Sequence, residues 1–371
     1  MRMEHNENGD YLPTDSSQLI FPNHLCQGLG GCFMAGDTRS SEQQVLSAMH
    51  TVFVREHNRI ARFMKTINPH WKGEKIYQEV RKIVYAVLQK ITYHDYIPII
   101  IGNTMPRYRG YDRTVNPDIL HSFATAAYRF GHSTIRPMFD LLNENYDPSE
   151  DPMPLRFLFF NNTYMRRHGI DHLLLGMLGN SSEPVDHTIA SALLNNLFER
   201  PNSPGLNLAA LNIQRSRDHG LPGYNAYRRF CGLKSAKGFQ DTRKEIPSSR
   251  NRRVLAKLYN DNPDLADLWV AGLAEAPSRG SAVGPTFGCI IREQYRRLRD
   301  GDSYYYKRPG VFTKKQVEEI EKTTISRILC DNLKSIVSIQ RNAFHAGSSR
   351  QRRMECGEIP GIDLQVWKGL S

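Results

Sequence analysis

Long apolar runs are missing from this sequence. The longest, around Ile97 to Ile101, falls far short of the roughly 18 residues that a membrane-spanning helix requires. The first ten residues are polar and lack the apolar region of a secretory signal. The sequence therefore predicts no membrane segment. If the protein is secreted, we expect its signal peptide to lie upstream of this chain.

Acidic residues are fewer than basic ones, since 38 Asp and Glu stand against 49 Lys and Arg for a formal net charge of +11. The basic residues form small, scattered clusters, whereas a nucleic-acid-binding protein usually concentrates them in one stripe within a recognisable module. We therefore predict that the protein does not bind nucleic acid. Such a basic surface can still concentrate small anions or bind acidic glycans.

Cysteine is scarce, with six residues in 371 and no close Cys-x-x-Cys pair of the kind that binds zinc. Six cysteines allow many pairings, and free buried thiols in a cytosolic protein are an alternative that the spacing leaves open. Two sequons, which begin at Asn161 and Asn180, instead favour a secreted glycoprotein.

Strict period-two alternation is also scarce, whereas apolar residues recur at helical spacing. Residues 1–38 are predicted to be irregular. Ser40 is the predicted N-cap of a helix that runs to about residue 66, with Gln43 as its capping-box partner. A second helix is predicted over about 74–93, with Pro98 ending its pattern.

A third helix is predicted to begin at Asn116 and Pro117, because asparagine caps helices and proline fits their first turn. Gly131 and His132 fall near its end. Further helices are predicted at about 164–178, 186–199, 248–300 and 314–322, with loops at 145–155, 200–206 and 211–223. The predicted fold class is mainly α, with no convincing domain boundary.

Five motifs occur in an order and at separations typical of one protein family. They are Ala35-Gly36-Asp37-Thr38-Arg39-Ser40-Ser41-Glu42, Met49-His50-Thr51 followed by Arg55-Glu56-His57-Asn58-Arg59, Tyr128-Arg129-Phe130-Gly131-His132, residues 211–225, and Leu298-Arg299-Asp300-Gly301-Asp302. In these motifs the chain resembles the animal haem peroxidases from about residue 32 to its end, and more loosely before that. The resemblance implies an irregular segment at 1–31 and the C-terminal part of a peroxidase domain at 32–371. The implied fold is a multi-helical single domain around a buried haem, incomplete at its N-terminus.

The resemblance assigns four residues to the proximal side of the haem. His132 matches the family's iron ligand, although an isolated histidine after an apolar helical stripe is more often a core residue. Asn212 matches the asparagine that hydrogen-bonds this histidine and so fixes its orientation. Arg129 and Arg215 match arginines that pair with the haem propionates. The implied cofactor is haem b.

Arg39 and Glu42 match residues on the distal side of the haem. A fixed guanidinium at Arg39 would stabilise charge as the peroxide O–O bond breaks, which makes it the candidate catalytic residue. Its alternative interpretation is an ion pair with Glu42. Glu42 matches the glutamate that forms an ester with a haem methyl, and alternatively favours the positive end of a helix. Gln43 replaces the methionine of the myeloperoxidase type, which predicts poorer oxidation of chloride than of bromide.

The family's distal histidine and its calcium ligands precede the motif that contains Arg39, and this chain begins after them. The resemblance therefore implies calcium in full-length members but no ligands for it here. His94-Asp95 lies downstream of Arg39 and is not a candidate for the distal role. We expect the chain to be a truncated gene product, an isoform, or a processed part that a separate N-terminal chain completes.

The function that the resemblance implies is a haem peroxidase that oxidises halides, pseudohalides or small phenols with hydrogen peroxide. A chain without the distal histidine is expected to be a poor peroxidase, because proton transfer by a placed side chain contributes about 10²–10⁴-fold. The alternative is a non-catalytic, secreted haem-binding or matrix-interaction module. The family pattern pairs Cys26 with Cys32, Cys231 with Cys289, and Cys330 with Cys356, and it implies an extracellular location.

Overall fold

The computed structural model of the chain describes residue 1 and residues 3–6, 9–14, 26, 31–200, 202–347 and 352–369. The α-helices are α1 (Gln44–Ile67), α2 (Gly73–Lys90), α3 (Ile97–Ile101), α4 (His121–Thr125), α5 (Thr163–His168), α6 (Asp171–Gly179), α7 (Ser191–Asn195), α8 (Leu208–Asp218), α9 (Tyr224–Phe230), α10 (Ser249–Leu258), α11 (Leu268–Ala274), α12 (Pro285–Asp300), α13 (Lys314–Lys322) and α14 (Ile325–Asn332). The strands are β1 (Glu4–Asn6), β2 (Gly9–Tyr11), β3 (Met138–Leu142), β4 (Pro148–Pro154), β5 (Ser338–Gln340) and β6 (Arg353–Glu355), and they pair as three antiparallel hairpins. The prediction of a mainly α fold is confirmed.

The chain divides into two compact units. The first unit contains Met1–Ile91, Pro137–Ser181 and Phe312–Ser371, and the second contains Thr92–Arg136 and Ser182–Val311. Each unit is assembled from separate stretches of chain. A composition shift along the sequence therefore cannot reveal the division.

In the first unit, α1 packs against α2 and α14. Its buried face includes Val52, Ile60 and Met64, which are almost fully enclosed, as helical periodicity predicts. The prediction that Ser40 caps this helix is wrong. The Ser40 hydroxyl donates to the Phe33 carbonyl at 3.1 Å, and the helix begins four residues later. Gln43 is the N-cap, and its side-chain oxygen accepts from the backbone N–H groups of Val45 and Leu46.

The predicted end of the second helix is also wrong. After α2 the chain continues through one π-helical segment, Ile91–Tyr96, and then through α3. Pro98 lies in the first turn of α3, where a missing N–H leaves no hydrogen bond unmade. Gly102, with φ of 72°, ends that helix in the left-handed conformation that glycine tolerates.

The third helix begins later than the sequence predicts. Asn116 forms a local turn in which its side-chain oxygen accepts from the Asp118 N–H at 2.9 Å. Helix α4 starts only at His121, and a 3-10 helix, Ala127–His132, follows it. The segment 211–223 is likewise more regular than predicted, because α8 occupies most of it.

Two segments predicted to lack regular structure form hairpins. The predicted loop at 145–155 contains β4, which pairs with β3. Strands β1 and β2 fall within the region predicted to be irregular, while residues 15–25 and 27–30 of that region lie outside the described residues. Polar residues on exposed strands mimic loop composition, so the sequence gives no strand signal there.

The remaining predictions place helices in the right parts of the chain, but the helices of the structure are mostly shorter than predicted. The segment 164–178 contains α5 and α6, which are separated at Gly169 with φ of 87°. The segment 186–199 contains only α7, and 248–300 is divided among α10, α11 and α12. The prediction at 314–322 coincides with α13, which a capping box between Thr313 and Gln316 begins.

All six cysteines are paired, as the resemblance implies: Cys26 with Cys32, Cys231 with Cys289, and Cys330 with Cys356. Each bond lies within one of the two units. Among the residues described, no helix combines the length and apolar character that crossing a membrane would require.

The core of the second unit brings α11 and α12 close together. An added methyl group at Gly272 would lie 2.1 Å from a ring carbon of Phe287, whose side chain is fully buried. At Gly288, also within a helix, the nearest atom would lie at an ordinary 3.7 Å. The glycine at 272 is therefore required by the close approach of the two helices.

We predict opposite effects for alanine at these two positions. Gly272→Ala should destabilise the chain by about 1–3 kcal/mol through overpacking. Gly288→Ala should stabilise it by about 0.5–1 kcal/mol, because alanine loses less backbone entropy in a helix. Urea unfolding followed by circular dichroism measures both. Equal stability of the two variants would contradict the close approach.

Candidate functional site

The residues assigned to the proximal side lie in the second unit, on two neighbouring elements. His132 is the last residue of the 3-10 helix, and Arg129 lies one turn earlier. Because residues three apart are eclipsed in a 3-10 helix, the two side chains project from the same side. Ala127 and Phe130 are buried on the other side and hold the helix in the core.

Asn212 joins these two side chains. It lies on α8 and is fully buried. Its Nδ2 lies 2.9 Å from Nδ1 of His132, and its Oδ1 accepts from Nη1 of Arg129 at 2.7 Å. The three side chains thus form one hydrogen-bonded row, which places beside the imidazole the kind of partner that orients a histidine ligand.

The charge state of His132 suits a metal ligand. Its pKa is lowered to about 4, chiefly by burial and also by the positive charge of Arg129, while the hydrogen bond with Asn212 opposes these two effects. The imidazole is therefore neutral near pH 7. Among the described residues, its Nε2 has no hydrogen-bond partner, which leaves this nitrogen available to another group.

Arg215 lies on α8 about one turn after Asn212, and its side chain is exposed. Burial lowers the pKa of Arg129, and the nearby positive charge of Arg215 lowers it further. An arginine whose charge is disfavoured by a neighbouring arginine is stabilised by an anion placed beside it. Their position therefore fits a ligand that carries carboxylates.

The residues assigned to the distal side lie in the first unit. Arg39 is largely exposed and forms a two-point ion pair with Asp37, with N···O distances of 3.0 and 2.8 Å. These hydrogen bonds hold the pKa of Asp37 down at about 2. The alternative prediction that Arg39 pairs with Glu42 is wrong, because its guanidinium bonds to Asp37 instead.

Glu42 lies in the turn before α1, where its carbonyl accepts from the Phe160 N–H at 3.0 Å. Burial raises the pKa of its carboxyl group, and the charge of Arg39 partly opposes this. A half-buried carboxyl group with a raised pKa is more readily neutralised than an ordinary glutamate.

One residue of the proximal site was not predicted from the sequence. Trp269 on α11 donates from Nε1 to the carbonyl of Arg129 at 3.2 Å, and so ties the 3-10 helix to α11. The two residues are 140 positions apart, and a single buried tryptophan has no pattern that would reveal this contact.

Comparison with known proteins agrees with this arrangement. The family described as animal haem peroxidase matches residues 1–344. The chain belongs to the animal haem peroxidase family. Mouse eosinophil peroxidase is 41% identical over 348 residues, covering 91% of this chain and 48% of that protein. Lactoperoxidase of Mesocricetus auratus is 43% identical over 353 residues, covering 91% and 49%. The chain thus spans about half the length of these relatives.

A solved structure supports the fold. Peroxidase A of Dictyostelium discoideum superimposes with a TM-score of 0.82 at 34% identity, covering 92% of this chain and 66% of that one. Fatty acid alpha-dioxygenase of Oryza sativa, with a TM-score of 0.73 and 19% identity, shares the fold.

The proximal residues fit the haem group that gives the family its name. A neutral imidazole with one free nitrogen can bind iron, and two adjacent arginines can bind the two propionates. The Asn212 amide oxygen faces Arg129, so its NH₂ group faces Nδ1 of His132, which then accepts the hydrogen bond and carries its proton on Nε2. An iron atom bound at Nε2 would need the opposite tautomer. A rotated amide, which has nearly the same shape, would let Nδ1 donate to Oδ1 instead.

Proposed function

We propose that the chain binds haem b through His132 and forms part of an extracellular peroxidase that oxidises halides, pseudohalides or small phenols with hydrogen peroxide. The observation that carries the proposal is the hydrogen-bonded row of Arg129, Asn212 and His132. When bound, haem supplies the redox chemistry by which peroxide is reduced and the donor oxidised. The protein residues bind the group, orient it and stabilise charge.

Asn212 and Arg129 act together in this proposal. Rotation of the Asn212 amide turns its oxygen towards His132 Nδ1–H and its NH₂ group towards Arg129. Two donors would then face each other, so the Arg129 guanidinium leaves Asn212 and pairs with a propionate. Haem binding would thus set the tautomer of His132 and release Arg129 in one concerted change.

Arg39 is proposed to stabilise the charge that develops as the peroxide bond breaks, with Asp37 holding its guanidinium in one orientation. Glu42 is proposed to form an ester with a haem methyl, which a carboxyl group with a raised pKa favours. Gln43 cannot form a sulfonium link, so bromide, iodide, thiocyanate and phenols are the proposed donors in preference to chloride. Calcium remains a prediction for full-length members of the family.

The proposed location is extracellular, because three disulfides in a chain without free cysteines are typical of an oxidising compartment. We further propose that residues 32–371 belong to one peroxidase domain, and that a separate N-terminal chain or segment completes the distal side. The sequons at Asn161 and Asn180 are proposed glycan acceptors.

Haem titration of the purified chain, followed by assays with peroxide and bromide, chloride or guaiacol, tests the proposal. A shifted Soret band and peroxide-dependent turnover with bromide above chloride are expected. Haem binding without turnover of any donor would overturn the enzyme proposal and support the non-catalytic haem-binding module. Acid-acetone extraction tests the ester, because Glu42→Gln should release haem that the wild type retains.

We predict that two replacements of Asn212 differ sharply. Asn212→Leu keeps the size but removes both hydrogen bonds, and should weaken haem binding about 10–100-fold, as loss of a metal ligand's hydrogen-bond partner does. Asn212→Asp can accept from His132 Nδ1–H without an amide rotation, and so should retain binding. Soret titration measures both affinities. Equal loss in the two variants would mean that Asn212 acts only through packing.

A further inference from the structure

Positive charge is concentrated in one part of the second unit. Residues 228–264 contain ten basic and four acidic residues, and so carry more than half of the chain's net charge of +11. Helix α10 lies in the middle of this stretch, and Leu255 is its buried residue. The rest of the helix is partly or fully exposed, so its charges face solvent.

The four acidic residues of this stretch are all engaged elsewhere. Two of them pair with the arginines of α9, and two accept from backbone N–H groups at or near the 3-10 helix Phe239–Thr242. The contacts are Glu245 with Arg228 at 3.1 Å, Asp264 with Arg229 at 3.4 Å, Asp241 with the Lys237 N–H at 2.8 Å, and Asp261 with the Phe239 N–H at 2.8 Å. The excess of positive charge, which already counts these carboxylates, therefore falls on α10 and the segment before it.

Three basic side chains of α10 are available to a partner. Arg252 is not one of them, because it donates to the carbonyls of Ile246 and Pro247 at 2.6 and 2.7 Å. Arg250, Arg253 and Lys257 are exposed. They have no ion-pair partner among the described residues, so their charges are open to solvent.

The position of these arginines works against the stability of the helix. The N-terminal end of a helix carries partial positive charge and favours acidic side chains. The first turn of α10 contains no acidic residue, whereas Arg250 lies in it and Arg253 follows directly. Helix stability therefore does not account for this placement, and an anion beside the helix would offset its cost.

Two exposed apolar side chains lie between these cations. Val254 is 50% exposed and Leu258 is 64% exposed. Residues four apart are neighbours on a helix surface, so Arg250, Val254 and Leu258 form one row and Arg253 and Lys257 form the adjacent row. These five side chains make up the basic–apolar face of α10, on the side away from Leu255.

The combination of charge and apolar surface selects the kind of partner. An acidic glycan offers negative charge but nothing that would cover Val254 and Leu258. The surface of an anionic bilayer offers both, because its charged headgroups lie directly above acyl chains. Helices that lie in such an interface carry Lys and Arg beside apolar residues that enter the boundary between headgroups and acyl chains.

We propose that the basic–apolar face of α10 binds the surface of a bilayer that contains anionic phospholipid. Arg250, Arg253 and Lys257 then lie beside the headgroups, while Val254 and Leu258 reach the top of the acyl region. The helix lies in the plane of the interface and does not cross it. This partner surface goes beyond the proposed function, and its binding requires no haem.

Vesicle sedimentation tests the charge requirement. The purified chain should bind phosphatidylcholine vesicles that contain phosphatidylserine, should not bind phosphatidylcholine alone, and should bind less as salt screens the charges. Arg253→Gln/Lys257→Gln should lower the partition coefficient about tenfold to thirtyfold, since each basic residue near an anionic surface contributes about fivefold. Arg62→Gln/Lys72→Gln, at exposed basic residues of the first unit, is the matched control and should bind as the wild type does.

A second pair of substitutions separates a bilayer from an acidic glycan. Val254→Ser/Leu258→Ser should lower the partition coefficient about tenfold, because it removes the apolar area that enters the bilayer, and should leave retention on immobilised heparin unchanged. Leu206→Ser, at an exposed leucine of the same unit outside α10, is the control. All these changes are at exposed side chains, and circular dichroism should show wild-type folding.

The depth of binding is measured with Leu258→Trp. The three native tryptophans, Trp71, Trp269 and Trp367, are almost fully buried, so lipid brominated on its acyl chains should quench the new residue and leave the native ones unquenched. Leu206→Trp should not be quenched. Absence of quenching at residue 258 would overturn the proposal.

The vesicle results can overturn the proposal in two further ways. Equal binding to phosphatidylcholine alone, or unchanged binding of Arg253→Gln/Lys257→Gln, would show that α10 does not recognise anionic lipid. Unchanged vesicle binding of Val254→Ser/Leu258→Ser, with reduced binding of the basic variant, would show that the face recognises negative charge alone, as a glycan supplies it. Because these experiments contain no haem, their results are independent of whether His132 binds iron.

Discussion

Replacing His132 by alanine is expected to abolish tight binding of haem by the chain. The variant removes the imidazole whose Nε2 has no partner among the described residues, and leaves the fully buried Asn212 facing a void. Loss of the iron ligand itself should weaken binding more than the about 10–100-fold that loss of its hydrogen-bonding partner costs. Added imidazole should partly restore the Soret band, because it can occupy the space that the side chain left.

Haem titration followed by absorption spectroscopy measures this effect, and circular dichroism shows whether the variant is folded. His187→Ala is the matched control, since His187 is an exposed histidine of the same unit. If the wild type and His132→Ala give the same Soret band, His132 is not the iron ligand. The hydrogen-bonded row would then be a structural feature of the core.

Sequence patterns predicted the positions of the helices more accurately than the residues at which the helices begin and end. Helical periodicity correctly predicted α1 and α13, because one face of each is buried along its length. The start of α1 was misplaced because the Ser40 hydroxyl bonds to the Phe33 carbonyl, a contact set by tertiary structure. At Pro98 the general expectation that proline ends a helix failed, since the π-helical segment allows α3 to start there.

The proximal site depended on motif resemblance and could not have been built from periodicity. His132 and Asn212 are 80 residues apart, and nothing in their spacing predicts that a hydrogen bond joins them. Tyr93, Tyr108 and Tyr305 line one cleft of the second unit, yet they come from three separate segments, each unremarkable in composition. Contacts of this kind follow from how the second unit folds, and only the structure reveals them.

A second large effect, on stability, is expected at Glu275, a buried residue whose hydrogen bonds join several helices of the second unit. The carboxylate is almost fully enclosed, and it accepts from the Tyr224 hydroxyl at 2.5 Å, the Thr286 hydroxyl at 2.6 Å and the Thr286 N–H at 2.9 Å. These contacts join α9 and the start of α12 to the end of α11. Helix α11 in turn holds the carbonyl of Arg129 through Trp269.

Glu275→Ala should destabilise the chain by about 3–5 kcal/mol, because it leaves buried donors without an acceptor and opens a cavity. Urea unfolding followed by tryptophan fluorescence measures the loss. The control is Glu183→Ala, at an exposed glutamate of the same unit. If both variants unfold at the same urea concentration, the Glu275 cluster does not hold these helices together.

The pH dependence of the Glu275→Gln variant separates the charge from the hydrogen bonds. Burial raises the pKa of Glu275 above its ordinary value of 4.5, although hydrogen bonds from Thr286 and Tyr224 oppose this. A raised folded-state pKa means that this contribution to stability is fully present below the ordinary value and is lost as pH rises through the folded-state pKa. The amount by which the free energy of unfolding of wild type exceeds that of Glu275→Gln should therefore decrease from acidic pH towards neutrality. If this difference increases instead, the charged carboxylate is the favoured form, and the three donors outweigh burial.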